Sequence, residues 1–166
     1  MKKKAKPQKV ELLPVHLYRK IHSQMPIPGI DLILIDDGRI LLVKRKREPV
    51  NGGWWVPGGR IWKGETFQEA AERIATIEVG LAIRGFGEII GVHNLLFDAD
   101  PFGHGNGTHT VSLVMAYRVW PGSVRVLDDN HSESMWWDGR HVPGLHPHVR
   151  KIALSAIHVI EGHRNC

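Results

Sequence analysis

The chain has 166 residues, of which 42% are hydrophobic and 23% charged, and it carries a formal net charge of +5. This length suits one domain over 1–166 and leaves little room for a second. The residue types are spread without low-complexity tracts or a repeat, as expected for an ordinary soluble globular protein. No apolar run reaches the roughly 18 residues of a membrane span, and no hydrophobic segment follows the basic start MKKKAKPQKV, so we expect a cytoplasmic protein with 1–10 as a disordered tail.

Cysteine content and charge distribution limit the kinds of site and ligand that the protein can have. The single cysteine, Cys166, excludes an internal disulfide and a cysteine-based zinc site. The basic residues are divided between KKKAK, KRKRE at 44–48 and scattered arginines, without a periodic stripe or interleaved aromatic residues. This distribution suits a small phosphorylated ligand, and we expect neither nucleic acid nor a membrane as the partner.

The first half of the chain predicts a helix followed by strands. Residues 14–24, PVHLYRKIHSQ, read as a short helix with Pro14 near its first turn, which MPIPG ends. IDLILID and RILLVKR are β-rich and are joined by Asp37-Gly38, a strong hairpin signal. A further strand is predicted in GGWWVPGG, followed by a loop over 58–65.

The segment GETFQEAAERIATIEVGL, residues 64–81, predicts a helix from about residue 67 to 79. Thr66 and Glu69 have the spacing of a capping box, in which each side chain bonds a free amide at the helix start. Gly80 supplies the stop.

The second half predicts strands and a closing helix. EIIGVHNLLF, TVSLVMAYRVW, SVRVL and SMWW read as strands, with a glycine-rich loop DADPFGHGNGTH between the first two. HPHVRKIALSAIHVIEG predicts a helix from near Pro147 to Gly162, and the spacing of His141, His146 and His148 fits a loop entering that helix better than a zinc site. This order of elements predicts the α/β class, with a mixed sheet covered by helices.

One set of residues in 59–81 has the spacing G-x5-E-x7-R-x4-E-x-G-hydrophobic: Gly59, Glu65, Arg73, Glu78, Gly80 and Leu81. A glycine-rich turn offers backbone groups to a ligand, and the following helix repeats side chains on one face. In this spacing the chain resembles the Nudix hydrolases, which implies a Nudix-like α/β/α sandwich and activity on nucleoside diphosphates linked to another group. Ile74 and Ile77 depart from the pattern, since both replace glutamates.

An ordinary amphipathic helix would account for the isoleucines, but not for the loop together with Glu65 and Arg73. Two apolar residues on the metal face cannot anchor several hard cations, because Mg²⁺ prefers oxygen ligands. The sequence therefore predicts one Mg²⁺ per site, with Mn²⁺ able to substitute. Its ligands would be the Glu78 carboxylate, a backbone carbonyl at Gly58, a third protein oxygen and the phosphates of the ligand.

Over roughly residues 30–138 the chain is similar to the GDP-mannose mannosyl hydrolases, which lack the same two glutamates and release GDP by water attack at the anomeric carbon with inversion. The likeness is carried by LLVKRKREPVNGGWWVPGGR and DDNHSESMWW. Thr110 and Leu95 stand where that subfamily has a tyrosine and a histidine, which leaves the base and the sugar open.

The resemblance implies roles for individual residues. The Gly58 carbonyl, Glu78 and Asn130 would hold Mg²⁺, and His131, expected on a flexible loop, would be the general base. Arg45 and Arg60 would bind the diphosphate, and Asp31 would lie near the sugar. From their places in or beside loops, and not from the resemblance, Trp62 is expected to contact the base or sugar and His109 the substrate. The resemblance also implies a homodimer.

Two other functions remain open from the sequence. One is a conventional Nudix pyrophosphohydrolase that attacks phosphorus, and the other is a Nudix-fold module that binds a nucleotide or RNA without turnover. Identification of the products distinguishes the pyrophosphohydrolase from a nucleotide-sugar hydrolase. Replacing the base at His131 should abolish most of the turnover of an enzyme but leave the affinity of a binding module unchanged.

Overall fold

The computed structural model describes residues 13–83, 85–119, 124, 127–142 and 144–162, with side chains described up to residue 159. The predicted tail at 1–10, Cys166 and most of the predicted strand SVRVL lie outside these residues. The helices are α1 (Val15–Gln24), α2 (Phe67–Val79) and α3 (Pro147–Gly162). The strands are β1 (Ile27–Asp36), β2 (Arg39–Arg45), β3 (Trp54–Trp55), β4 (Gly58–Arg60), β5 (Glu88–Phe97), β6 (Thr108–Arg118) and β7 (His131–Trp137).

The strands form one mixed sheet, which confirms the predicted fold class. Its main path runs β3-β2-β1-β6-β5, with β4 added to β1 and β7 added to β2. β1 and β6 run parallel, and the other pairs are antiparallel. The helix α2 covers one face and α3 the other, and each encloses its own apolar cluster. No helix in the described part of the chain is long and apolar enough to cross a membrane.

Local signals set the elements that lie around the site. Asp37 and Gly38 both have positive φ, as a tight hairpin between β1 and β2 requires. The capping box at Thr66 and Glu69 is present, and Gly80 closes α2 in the left-handed conformation, so the predicted bounds of this helix are confirmed.

Two parts of the structure differ from the predictions. GGWWVPGG forms two short strands, because Trp54 and Trp55 pair with β2 whereas Gly58 and Gly59 pair with β1. His131 is the first residue of β7, opposite Arg45 on β2, and is 6% exposed. The expectation that it lies on a flexible loop is wrong, because pairing with β2 orders this segment.

Candidate active site

The backbone of β4 meets the last turn of α2. Gly58 donates its amide to Glu78 Oε2 at 2.9 Å, which joins the helix carboxylate to the strand. Glycine is needed at this position because an added Cβ would lie 2.5 Å from Asp31 Oδ1 and 2.9 Å from the Ile30 carbonyl oxygen. The close approach of β4 to β1 therefore depends on the missing side chain.

The carbonyl of Gly58 is available to a ligand. Leu32 donates its amide to the Pro57 carbonyl at 2.8 Å, one pair along from Asp31 and Gly58. Leu32 and Pro57 therefore form a hydrogen-bonded pair. Because such pairs alternate with non-hydrogen-bonded pairs in an antiparallel ladder, Asp31 and Gly58 form a non-hydrogen-bonded pair. Both polar groups of Gly58 therefore turn away from β1, and its amide reaches Glu78.

Glu78 lies where its anion is disfavoured. Burial, with repulsion from Asp128 and Asp31, raises the pKa of Glu78 to about 8, against the opposing influence of the Gly58 amide and the Arg45 guanidinium. A cation bound beside these carboxylates would stabilise their charged forms.

The two isoleucines leave α2 with few oxygen ligands at this point. Ile74 is 1% exposed and packs on Gly59, where an added Cβ would lie 3.3 Å from its Cγ1. Ile77 is 51% exposed. Among the described side chains of α2, Glu78 is the carboxylate that bonds to β4.

Arg73 and Glu65 hold the loop onto the helix. Arg73 donates its Nε to Glu65 Oε1 at 2.6 Å and its Nη2 to the Arg60 carbonyl at 2.8 Å. The Trp62 amide donates to Glu65 Oε2, and the Trp62 ring lies 3.8 Å from the Arg73 guanidinium carbon. These residues shape the loop, so their place in the motif has a structural reason.

A histidine–carboxylate pair lies where β7 begins. His131 Nδ1 is 2.6 Å from Asp128 Oδ1, and the Asp128 amide donates to the Glu78 carbonyl, which ties this turn to α2. Burial lowers the pKa of His131, and Asp128 opposes that shift. With its Nδ1 proton donated to Asp128, the neutral imidazole keeps a lone pair on Nε2, as a base needs.

Asn130 is fixed by the same carboxylate. Its Nδ2 donates to Asp128 Oδ2 at 2.7 Å, and its carbonyl accepts the Lys46 amide. Neither of these bonds uses the Oδ1 of Asn130. Sequence reasoning missed Asp128, although the acidic residues before His131 were a signal for it.

A cleft of about 190 Å³ opens between β1, β6 and the loops around them. It is lined by charged and small polar groups together with apolar side chains, among them Asp31, Arg45, Arg60, Thr108, Thr110, Ser112, Trp55, Leu95 and Phe97. Asp31 is buried and accepts from Trp55 Nε1 at 3.0 Å and Ser112 Oγ at 2.6 Å. Burial raises the pKa of Asp31, and these two donors counter the shift.

The structure brings most of the predicted residues together. Asp31, Arg45, Gly58 and Arg60 line the cleft. Glu78, Asn130 and His131 are not among the described residues that line it, but Glu78 bonds to Gly58 and His131 pairs with Arg45 across the sheet. Neither Trp62 nor His109 is among the described residues that line it. His109 instead contacts Asn94 Oδ1 at 3.4 Å.

The predicted ligands have the donor chemistry that suits a hard divalent cation. Carboxylate, carbonyl and amide oxygens are available from Glu78, Gly58 and Asn130, and Mg²⁺ selects oxygen. Among the described residues, no group of three or more His, Cys, Asp or Glu side chains is placed to hold a metal ion. That finding includes His146 and His148, which contact Trp55.

A family model described as NUDIX domain matches residues 25–153. The ADP-ribose pyrophosphatase of Methanocaldococcus jannaschii is 35% identical over 120 residues, 72% of this chain and 66% of that protein, just under two thirds of its length. The low-salt glycan biosynthesis protein Agl8 of Haloferax volcanii is 26% identical over 139 residues, 84% of this chain and 87% of that protein.

Among solved structures, the MutT NUDIX hydrolase from Burkholderia pseudomallei superposes with a TM-score of 0.68 at 30% identity, covering 80% of this chain and 98% of that one. The NUDIX domain of Shewanella oneidensis NrtR, complexed with ADP ribose, superposes with a TM-score of 0.66 at 17% identity, covering 82% and 90%. The second likeness concerns the fold alone.

Proposed function

This chain is a Nudix hydrolase, a member of the NUDIX domain family, and from that premise we propose that it hydrolyses nucleotide sugars by water attack at the anomeric carbon. GDP-mannose or a related GDP-hexose is the proposed substrate, and GDP and the free, inverted sugar are the products. We also propose one Mg²⁺ per site, replaceable by Mn²⁺, a cytoplasmic location, and a homodimer, the last as the resemblance implies.

The proposal depends on two features that occur together. His131 is buried and oriented by Asp128, and α2 offers one carboxylate, Glu78, to the site. Ile74 and Ile77 supply no oxygen where attack at phosphorus in this family relies on several carboxylate-bound metal ions. His131, held by Asp128, offers a base that needs no metal-bound water.

Four side chains would bind the substrate or take part in the reaction. Arg45 and Arg60 line the cleft and would bind the diphosphate, because guanidinium groups match phosphate oxygens. His131 would accept the proton of the attacking water while the bond from the anomeric carbon to the diphosphate oxygen breaks. Asp31 would lie near the sugar, where its charge favours the positive character that develops at the anomeric carbon.

Glu78, the Gly58 carbonyl and Asn130 would hold the Mg²⁺ ion. When bound, Mg²⁺ supplies neutralisation of the charge on the departing diphosphate. Asp128 lies beside these groups and would orient Asn130 as well as His131.

Product identification in ¹⁸O-labelled water tests the proposal. GDP-mannose, other nucleotide sugars and ADP-ribose would be incubated with the protein and Mg²⁺, and the products identified by mass spectrometry. We expect GDP and a free sugar that carries the label. GMP with sugar 1-phosphate, or label in a phosphate, would contradict attack at carbon.

A second candidate is a pyrophosphohydrolase of ADP-ribose-like substrates that attacks phosphorus. The 35% identity to the ADP-ribose pyrophosphatase of Methanocaldococcus jannaschii favours it. AMP and ribose 5-phosphate from ADP-ribose, without turnover of nucleotide sugars, would establish this candidate in place of the first.

A further inference from the structure

Helix α1 lies before the start of the matched NUDIX domain at residue 25, yet one of its side chains contacts a cleft residue. The Arg60 guanidinium carbon stands 3.9 Å from the centroid of the Tyr18 ring. It also lies 5.8 Å from the Phe102 ring. The cation is therefore placed against an aromatic wall to which α1, outside the domain match, contributes Tyr18.

This wall is built from two segments that hold each other. The Tyr18 and Phe102 rings are 5.1 Å apart, and His22 lies 4.7 Å from Phe102. His22 Nδ1 is 2.6 Å from His104 Nε2. The glycine-rich loop thus fixes the side of α1 that faces the cleft, and with it the Tyr18 ring.

The part of Tyr18 that matters to Arg60 is its ring face. Its hydroxyl is buried and has no hydrogen-bond partner among the described residues. Arg60 forms no ion pair with a described carboxylate, so its charge is left for a ligand. A stacked guanidinium keeps its edge N–H groups free to donate, whereas a carboxylate partner would occupy them.

We propose that Tyr18 is a positioning residue that holds Arg60 in the orientation that binds the substrate's phosphates, which makes α1 part of the substrate site. This inference rests on the proposed function, in which Arg60 contacts the diphosphate. We assign Arg60 the same contact with the diphosphate in the bound substrate and in the transition state, so loss of its orientation should raise KM and leave kcat unchanged.

Steady-state kinetics of Tyr18→Leu and Tyr18→Phe on the best nucleotide substrate test this role. Leucine removes the aromatic face, and we expect KM to rise about 3- to 10-fold with kcat within about twofold of wild type. Phenylalanine keeps the face and should restore the wild-type KM. Val15→Ala, at a 74% exposed position of the same helix, is the matched control and should change neither constant.

A double-mutant cycle with Arg60→Ala shows whether Tyr18 acts through Arg60. In the Arg60→Ala background, Tyr18→Leu should have no further effect on KM. An equal effect in both backgrounds, a fall in kcat alone, or an unchanged KM in Tyr18→Leu would overturn the inference.

Calorimetric binding of GDP and of pyrophosphate separates this inference from the proposed function. If no nucleotide sugar is hydrolysed, the proposed function is wrong, and weaker binding of both probes to Tyr18→Leu than to Tyr18→Phe would still support the role of Tyr18. Should Tyr18→Leu fail to fold, the proton NMR signal of Arg60 Nε in wild type and Tyr18→Phe should show the same ring-current shift. Absence of that shift, or equal affinities in folded variants, would overturn the inference.

Discussion

At the scale of single residues, the site depends on one hydrogen bond between a buried imidazole and a carboxylate. The contact between Asp128 and His131 sets which ring nitrogen carries the proton. We expect His131→Gln to lower kcat about 10²- to 10⁴-fold, because the base is lost while the diphosphate contacts remain. Asp128→Asn should lower kcat too, since an amide that donates to Nδ1 favours the other tautomer.

Initial rates with saturating substrate, together with GDP affinity, would measure this effect. Lys44→Ala is a suitable control on the adjoining strand, because its ion pair with Glu133 is exposed. A His131→Gln protein that retained wild-type turnover would show that another group removes the proton. A wild type that binds GDP without turnover would identify a binding module.

A second prediction for a single residue concerns the metal. Glutamine at position 78 can still accept the Gly58 amide, so the fold should persist while one anionic ligand is lost. We therefore expect Glu78→Gln to require about tenfold or more Mg²⁺ for half-maximal activity. Activity titrated against Mg²⁺ measures this, with Glu72→Gln on the exposed side of α2 as the control. Identical titration curves would remove Glu78 from the ligand set.

At the scale of elements, what could be predicted from the sequence depends on whether its cause is local. The ends of α2 are set by Thr66, Glu69 and Gly80, so a few neighbouring residues specify them. The division into β3 and β4 depends on pairing with two different strands, and the wall that Tyr18 forms depends on a loop far along the chain. Such contacts leave no periodic signal in their own segments.

The same reasoning gives a prediction for α2. Thr66→Ala removes the side chain that accepts the Glu69 amide at 3.2 Å and should lower the free energy of unfolding by about 1 kcal/mol. Thr76→Ala, at an exposed position within the helix, is the matched control and should be neutral or slightly stabilising. Urea unfolding would compare them. Equal stabilities for the two variants would mean that tertiary packing alone fixes the start of α2.

Across the whole molecule, the contact between the start of α3 and the sheet involves two imidazole rings with lowered pKa values. These are His146 and His148, which both lie against Trp55. Burial, together with the charges of His93, His146 and Lys151, lowers the pKa of His148 to about 4. Its ring stacks on Trp55 with centroids 5.8 Å apart, and its buried Nε2 has no hydrogen-bond partner among the described residues. The packing of α3 on the sheet therefore favours a neutral ring.

This placement makes stability depend on pH with a definite sign. The unfolded chain takes up the His148 proton near its ordinary pKa of about 6.5, whereas the folded state resists it until about pH 4. The free energy of unfolding should therefore fall as the pH drops from about 6.5 toward 4. Burial also lowers the pKa of His146, which likewise makes the free energy of unfolding fall as the pH drops. The raised pKa of Glu78 has the opposite effect, because it makes the free energy of unfolding rise as the pH drops from about 8 to 4.5.

Comparison with His148→Phe isolates the contribution of His148, because phenylalanine keeps the stacked ring and cannot take a proton in either state. We expect the variant to match wild type in Tm at pH 7 and to exceed it by a growing margin from pH 6.5 to pH 4.5, measured by differential scanning calorimetry. His158→Phe, at an exposed position of α3, controls for loss of an imidazole from the helix. A constant difference across this range would mean that His148 takes up its proton equally in the folded and unfolded chain, and that its contact with Trp55 does not require the neutral form.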